Sequence, residues 1–185
     1  MRTNGHGQSA LLLLDVIDLL SAEQVRYSVI GAMAASVHGV VRASLDADAV
    51  LSLSPHELGD LERKFKSVGF RTEVRLGDDD DPISALLEVS DTYGNRVDLL
   101  SGLRGLEGAA FSRAVDVPFQ GATLRVVGLE DFVAMKLFAG GPQDIDDARR
   151  ALEIAGSNVD AVLLDRIVKK YGRSASEALS LLRRA

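Results

Sequence analysis

Asp46 and Asp48 stand two residues apart in the run Leu45-Asp46-Ala47-Asp48-Ala49-Val50-Leu51. On a β-strand such residues share a face, with Cα atoms roughly 6.5 Å apart. Two carboxylates held side by side repel each other unless a cation sits between them. A divalent metal is the usual answer, and metal held by paired aspartates is the usual apparatus for phosphate chemistry. The plainer account is a solvated strand edge. A third acid, Asp98, lies in Arg96-Val97-Asp98-Leu99-Leu100, again among apolar neighbours. Carboxylates in strands that look buried need partners.

The elements that must position these acids follow from periodicity and punctuation. A helix is expected over 9–23, with Ser9 as its N-cap and an apolar stripe at Leu12, Val16, Leu19 and Leu20. A short strand over 27–30 ends at Gly31, and small residues carry a helix over 32–37 until His38-Gly39 breaks it. The aspartate strand spans 44–53. Ser54-Pro55 then opens a helix, as cap and first helical residue, that closes before Gly69. Strands follow over 70–76, 85–90 and 95–100, with Asp91-Thr92-Tyr93-Gly94 as the turn between the last two. A short helix at 106–113 and strands at 115–119 and 122–127 complete this part. Beyond Gly128 the pattern is helical only, over 129–138, 142–155, 159–171 and 174–184. The expected class is α+β: a mixed β-sheet core flanked by helices over 1–128, and a C-terminal helical tail over 129–185 packed on it.

Composition narrows the setting. The 185 residues are long enough to bury a real core, and 46% hydrophobic with 26% charged residues is ordinary for a soluble globular chain. There are no cysteines, which excludes disulfides and thiolate metal sites. The apolar run from Leu11 to Leu20 is interrupted by Asp15 and Asp18, too short and too charged to span a bilayer. With no basic leader region at the N-terminus, the expected location is cytoplasmic and no membrane partner is expected. A formal net charge of −6 speaks against a dedicated nucleic-acid coat protein, though not against a local basic patch.

Three features occur in a telling order: Val29-Ile30-Gly31-Ala32, the Asp-x-Asp strand, and the strand carrying Asp98. That order resembles the minimal nucleotidyltransferase fold of the polymerase-beta superfamily. The fuller string Ile30-Gly31-Ala32-Met33-Ala34, His38-Gly39, Arg42 and Ser44-Leu45-Asp46-Ala47-Asp48 looks most like the abortive-infection toxin branch and related small nucleotidyltransferases. The similarity continues in Leu129-Glu130-Asp131-Phe132-Val133-Ala134-Met135-Lys136 and Gln143-Asp144-Ile145-Asp146-Asp147. The resemblance implies a nucleoside triphosphate (NTP) substrate and Mg²⁺ or Mn²⁺ held by Asp46, Asp48 and Asp98, which would also be the catalytic carboxylates. It implies that Gly31 and Ala32 bring backbone amides to the triphosphate. It makes Arg42 and Ser44 candidates for nucleotide contact and Lys136 a candidate triphosphate cation, with Asp144 orienting it. Asp144 also suits a plain helix start, and Lys136 could equally snorkel to solvent.

Other charged residues read more simply. Asp146 and Asp147 are expected on plain helix surface, the run Asp78 to Asp81 as a solvated loop, and His38 as a helix-end or core histidine. Arg149-Arg150, Lys169-Lys170, Arg173 and Arg183-Arg184 are either solvated faces or an RNA-facing surface. Ala32 and Gly140-Gly141 depart from the family, which often has a serine or glycine at the first position and an arginine near the second. The expected activity is metal-dependent transfer of a nucleoside monophosphate from an NTP to an acceptor hydroxyl on a tRNA, a protein or a small molecule. In a toxin setting a separate antitoxin protein would be a partner. The alternative is a catalytically degenerate member that binds nucleotide or a partner without turnover.

Overall fold

A computed structural model describes residues 1–41 and 45–184. The strands are β1 (Tyr27–Val29), β2 (Ala47–Leu51), β3 (Arg71–Leu76), β4 (Ile83–Ser90), β5 (Arg96–Leu103), β6 (Val115–Phe119) and β7 (Ala122–Val126). The helices are α1 (Ser9–Ala22), α2 (Gly31–Val37), α3 (Pro55–Ser67), α4 (Ala110–Arg113), α5 (Leu129–Ala139), α6 (Pro142–Ala155), α7 (Ala161–Lys170) and α8 (Arg173–Leu182). The architecture is the expected α+β one.

The strands form one mixed sheet in the order β3-β4-β5-β2-β1-β7-β6. β2 runs parallel to β5 and β1 parallel to β7, and the other neighbours are antiparallel. Alternation decides which side chains go inward. Ala85, Leu87 and Val89 of β4 and Val97, Leu99 and Ser101 of β5 are buried. The intervening Glu88, Arg96 and Asp98 look out from the opposite face and are only half-buried. α1 and α3 cover the inner face. α1 buries a wide stripe through Leu12, Leu13, Val16, Ile17 and Leu20. α3 buries Leu58, Leu61 and Phe65, spaced one and two turns apart.

Local signals start and stop these elements. Ser54 Oγ accepts from the Glu57 amide, and the Glu57 carboxylate accepts from the Ser54 amide at 2.8 Å, a reciprocal cap behind Pro55. The β4–β5 turn is tied by Asp91, whose Oδ1 accepts from the amides of Tyr93 (2.8 Å) and Asn95 (3.0 Å). Asn95 in turn binds the chain ahead of α1: its Oδ1 accepts from the Gln8 amide at 2.6 Å, and its Nδ2 donates to the Gly5 carbonyl. Ser9 is not the helix cap. Gln8 holds that position, and the Ser9 hydroxyl accepts from the backbone amide of Arg96 at 3.1 Å, a long-range bond instead of a local one. The aspartate strand is shorter than its pattern suggests and begins at Ala47, leaving Asp46 just ahead of it. The expected helix at 106–113 contracts to α4.

α5 is the pivot of the second half and packs on α6, α7 and α8. One continuous apolar cluster runs from α1 and the sheet through Phe132, Val133 and Leu137 of α5 to Leu164, Ile167 and Leu179. Asp131, only 1% exposed, accepts two parallel 2.7 Å bonds from Arg113, so a bidentate ion pair joins α4 to the start of α5. Removing one partner of a buried pair leaves its charge stranded. Asp131→Ala is therefore expected to cost about 3 kcal/mol in urea unfolding, the low end for such pairs because Arg113 keeps a contact to Glu107. A loss below about 1 kcal/mol would show that the clamp is not structural.

Candidate active site

The site begins where β1 turns into α2. Ile30 donates its amide to the Asp48 carbonyl at 2.9 Å, holding the end of β1 against β2. Gly31 then takes φ +64°, a left-handed conformation that side chains resist. A Cβ at Gly31 would lie 2.1 Å from Asp48 Oδ2. The glycine thus serves two needs at once, the turn and the space that the Asp48 carboxylate fills.

Register brings the acids together. β2 and β5 pair Asp48 with Asp98, and β4 and β5 pair Asp98 with Glu88. Three carboxylates therefore stand in a row across adjacent strands, with Asp46 at the mouth of β2. Arg96, two residues before Asp98 and on the same face, lies among them. Its Nη2 donates to Asp46 Oδ2 at 2.6 Å, its Nη1 is 3.6 Å from Glu88, and its Nε is 3.7 Å from Asp98 Oδ1. Burial pushes the Asp98 carboxyl above the ordinary aspartate value; the Arg96 charge works against this, and Glu88 and Asp46 add to it. Asp98 Oδ1 is buried and accepts no hydrogen bond among the described residues.

The donor set fits Mg²⁺ or Mn²⁺: several carboxylate oxygens on one rigid sheet face, one of them a buried oxygen without a hydrogen bond. Among the described residues, no three His, Asp or Glu side chains are already gathered as an ion cage. Arg96 brings a positive charge there, bonded at one corner and held loosely at two.

Across from Asp48 lies Lys136 of α5. Its side chain does not snorkel outward. It is buried, with Nζ 2.7 Å from Asp144 and 2.9 Å from Asp147 on α6, and 5.8 Å from the centre of the Phe132 ring. Asp147, expected on the helix surface, is buried in this pair, while Asp146 stays outside with Arg149 and Arg150. At Gly141 a Cβ would stand 3.0 Å from Asp144 Oδ2, so a side chain there would press on the carboxylate that holds Lys136.

Gly31, Asp48, Lys136 and Asp144 line one cleft of about 290 Å³ between the sheet and α5. The rest of its wall is apolar, chiefly Ile30, Ile83, Leu100, Leu103, Phe132 and Met135. Asp46 and Ala32 line a smaller neighbouring hollow of about 130 Å³. Arg42 and Ser44 fall outside the described residues. His38 is a helix-end histidine: its Nε2–H donates to the Val127 carbonyl at 2.8 Å, and burial lowers its pKa. Arg96, Glu88 and Asp147 are the site residues that sequence reasoning missed. Arg96 was findable, because the two-residue spacing that pairs Asp46 with Asp48 also pairs Arg96 with Asp98.

No protein-family model and no curated protein matches the chain by sequence. Solved structures do match by shape. The antibiotic-resistance factor ANT(2'')-Ia in complex with adenylyl-2''-tobramycin superposes with a TM-score of 0.58 at 17% identity, covering 89% of this chain and 99% of that one. A nucleotidyltransferase-like protein, TM1012 from Thermotoga maritima, gives 0.56 at 19% identity over 81% of this chain and 96% of its own. The lincosamide adenylyltransferase LnuA, bound to lincomycin, gives 0.51 at 14% identity, covering 82% and 99%. At these identities the likeness concerns architecture: the chain has the fold of nucleotidyltransferases.

Proposed function

We propose that the chain is a metal-dependent nucleotidyltransferase of the polymerase-beta superfamily that moves a nucleoside monophosphate from an NTP to an acceptor hydroxyl, releasing pyrophosphate. The observation that carries this reading is the pairing of Asp48 with Asp98 in parallel strands, with Asp46 beside them and Gly31 vacating the space for Asp48. Asp46, Asp48 and Asp98 would hold Mg²⁺ or Mn²⁺, which supplies Lewis-acid stabilisation of phosphoryl oxygens and activation of the attacking hydroxyl when bound. Gly31 and Ala32 let the chain come close to the triphosphate. Lys136, steered by Asp144, faces the cleft in which nucleotide and acceptor meet, and Arg42 and Ser44 complete the nucleotide contacts.

A small molecule is the acceptor this chain supports best. The cleft is mainly apolar and of a size suited to a compact ligand. The basic groups of the tail are interleaved with surface carboxylates, which lowers the positive potential an RNA would meet. Arg149 pairs with Asp146 and Glu153, Lys170 with Glu107, Arg173 with Glu177 and Arg183 with Asp165. Two of the fold neighbours were captured with an adenylylated tobramycin and with lincomycin, which favours the same class. The abortive-infection resemblance favours tRNA or protein acceptors and an antitoxin, and rests on motif residues alone. A second reading, binding without turnover, is favoured by Arg96, which occupies the carboxylates where an ion would sit.

A label-transfer assay tests the first reading. The protein is incubated with each α-labelled NTP, Mg²⁺ or Mn²⁺, and separate pools of small hydroxyl compounds, tRNA and protein. Label should enter the small-molecule pool and fall by at least about a hundredfold in Asp48→Asn. Equal labelling by that variant, or no labelling of any pool, would defeat the enzymatic reading.

Asp98 yields a separate check. A carboxyl whose pKa rises on folding favours the fold below its unfolded pKa and loses that contribution as pH climbs through the folded value. Ionised Asp98 therefore counts against stability at neutral pH. Asp98→Asn should raise Tm at pH 7 in metal-free buffer while abolishing transfer. The gain should vanish as pH falls into the range where Asp98 itself is protonated. A lower Tm for the variant at pH 7 would contradict the burial argument.

A further inference from the structure

We infer that Arg96 is a resident counter-ion of the carboxylate cluster, and that a divalent cation binds there in competition with its guanidinium. The inference rests on the nucleotidyltransferase reading above and adds a positioning residue to it. Arg96 faces Asp46, Asp98 and Glu88 at 2.6, 3.7 and 3.6 Å. A guanidinium and a divalent ion held by the same carboxylates repel each other and draw on the same acceptor oxygens, so each weakens the other's hold.

The contacts are graded in a way that suits displacement. A guanidinium carries five N–H donors in a fixed plane, yet Arg96 makes one firm side-chain bond, to Asp46. Its Nε is buried without a hydrogen bond and faces an equally unsatisfied Asp98 Oδ1. The side chain is 40% exposed, so it can leave towards solvent without opening the core. Glu88 offers a place to go. It lies one strand further from Asp48, already 3.6 Å from Arg96, and its other neighbour is Arg75 at 3.6 Å. Losing Asp46 and Asp98 to an ion therefore need not cost Arg96 every partner.

This arrangement has a functional consequence. With no ion bound, the guanidinium offsets repulsion among the carboxylates and weakens their affinity for metal. The released planar fork would be free to bind phosphate oxygens of a triphosphate that arrives with the metal, a pairing its geometry suits. Ion and nucleotide then bind cooperatively, because each favours the displaced Arg96.

The test is Mn²⁺ binding to the full chain without nucleotide, read as free Mn²⁺ by electron paramagnetic resonance. The proteins are the parent, Arg96→Met, Arg96→Gln and Arg96→Lys. The two neutral variants should bind Mn²⁺ about tenfold tighter than the parent, and Arg96→Lys should stay within about threefold of it. The neutral variants should also melt lower than the parent in metal-free buffer and gain more Tm from Mn²⁺. Unchanged or weaker Mn²⁺ binding by both neutral variants would overturn the inference. So would an equal gain in Arg96→Lys, or a lowered Tm that Mn²⁺ does not restore. Binding is read here with no turnover, so failure of the label-transfer assay would strike the proposed activity alone.

Discussion

Two carboxylates fixed side by side on parallel strands repel, and the unusual features around β2 and β5 can be understood as answers to that repulsion. Asp48 and Asp98 cannot turn away from each other. Ala47 and Ala49 on one strand, and Val97 and Leu99 on the other, are buried in the core. Slipping either strand by one residue would put an acid into that core and an apolar residue into the cleft. The strain is met locally instead. Gly31 gives up its side chain so that Asp48 has room, Arg96 brings a cation, and Asp98 holds its proton more tightly than an ordinary aspartate.

The same electrostatic logic governs the opposite wall. Lys136 is a buried cation on an otherwise apolar helix face, a placement that costs heavily unless it is compensated. Asp144 and Asp147 compensate it twice over, so this ion cluster carries no surplus positive charge. Asp48 lines the other side of the same cleft. The compensated Lys136 also fastens α5 to α6, so the wall of the cleft and the packing of the helical half depend on one side chain.

Much of the fold was legible because independent signals agreed. Ser54-Pro55 with Glu57 marks a helix start through both cap and ring geometry, and the alternation in β4 and β5 matches their burial residue by residue. Misreadings arose where a side chain spent its hydrogen bonds at long range. Ser9 has the chemistry of a cap and uses it on β5, a contact 87 residues away that no local pattern encodes. Asp147 was misread for another reason. Asp144, Asp147, Ala148 and Ala151 follow a helical i, i+3, i+4, i+7 spacing, which places Asp147 on the buried side. Its charge argued for solvent and the spacing for burial. Lys136, distant in sequence, decided between them.

The carboxylate row also bears on why the chain keeps such an arrangement. Replacing Glu88, Asp98 and Asp48 by threonine or valine would suit a half-buried sheet face and remove a buried oxygen that accepts no hydrogen bond. The core on the α1 and α3 side reaches these strands through the opposite alternation, and on the acids' own face the next residues, Val50 and Leu100, are apolar. Gly31 sharpens the point, because its left-handed turn would tolerate asparagine far better if Asp48 did not occupy the adjoining space. A destabilising charge row, a glycine shaped around one of its members and a loosely bonded arginine are what the proposed metal-binding role would call for, since hard oxygens on one rigid face suit a divalent cation.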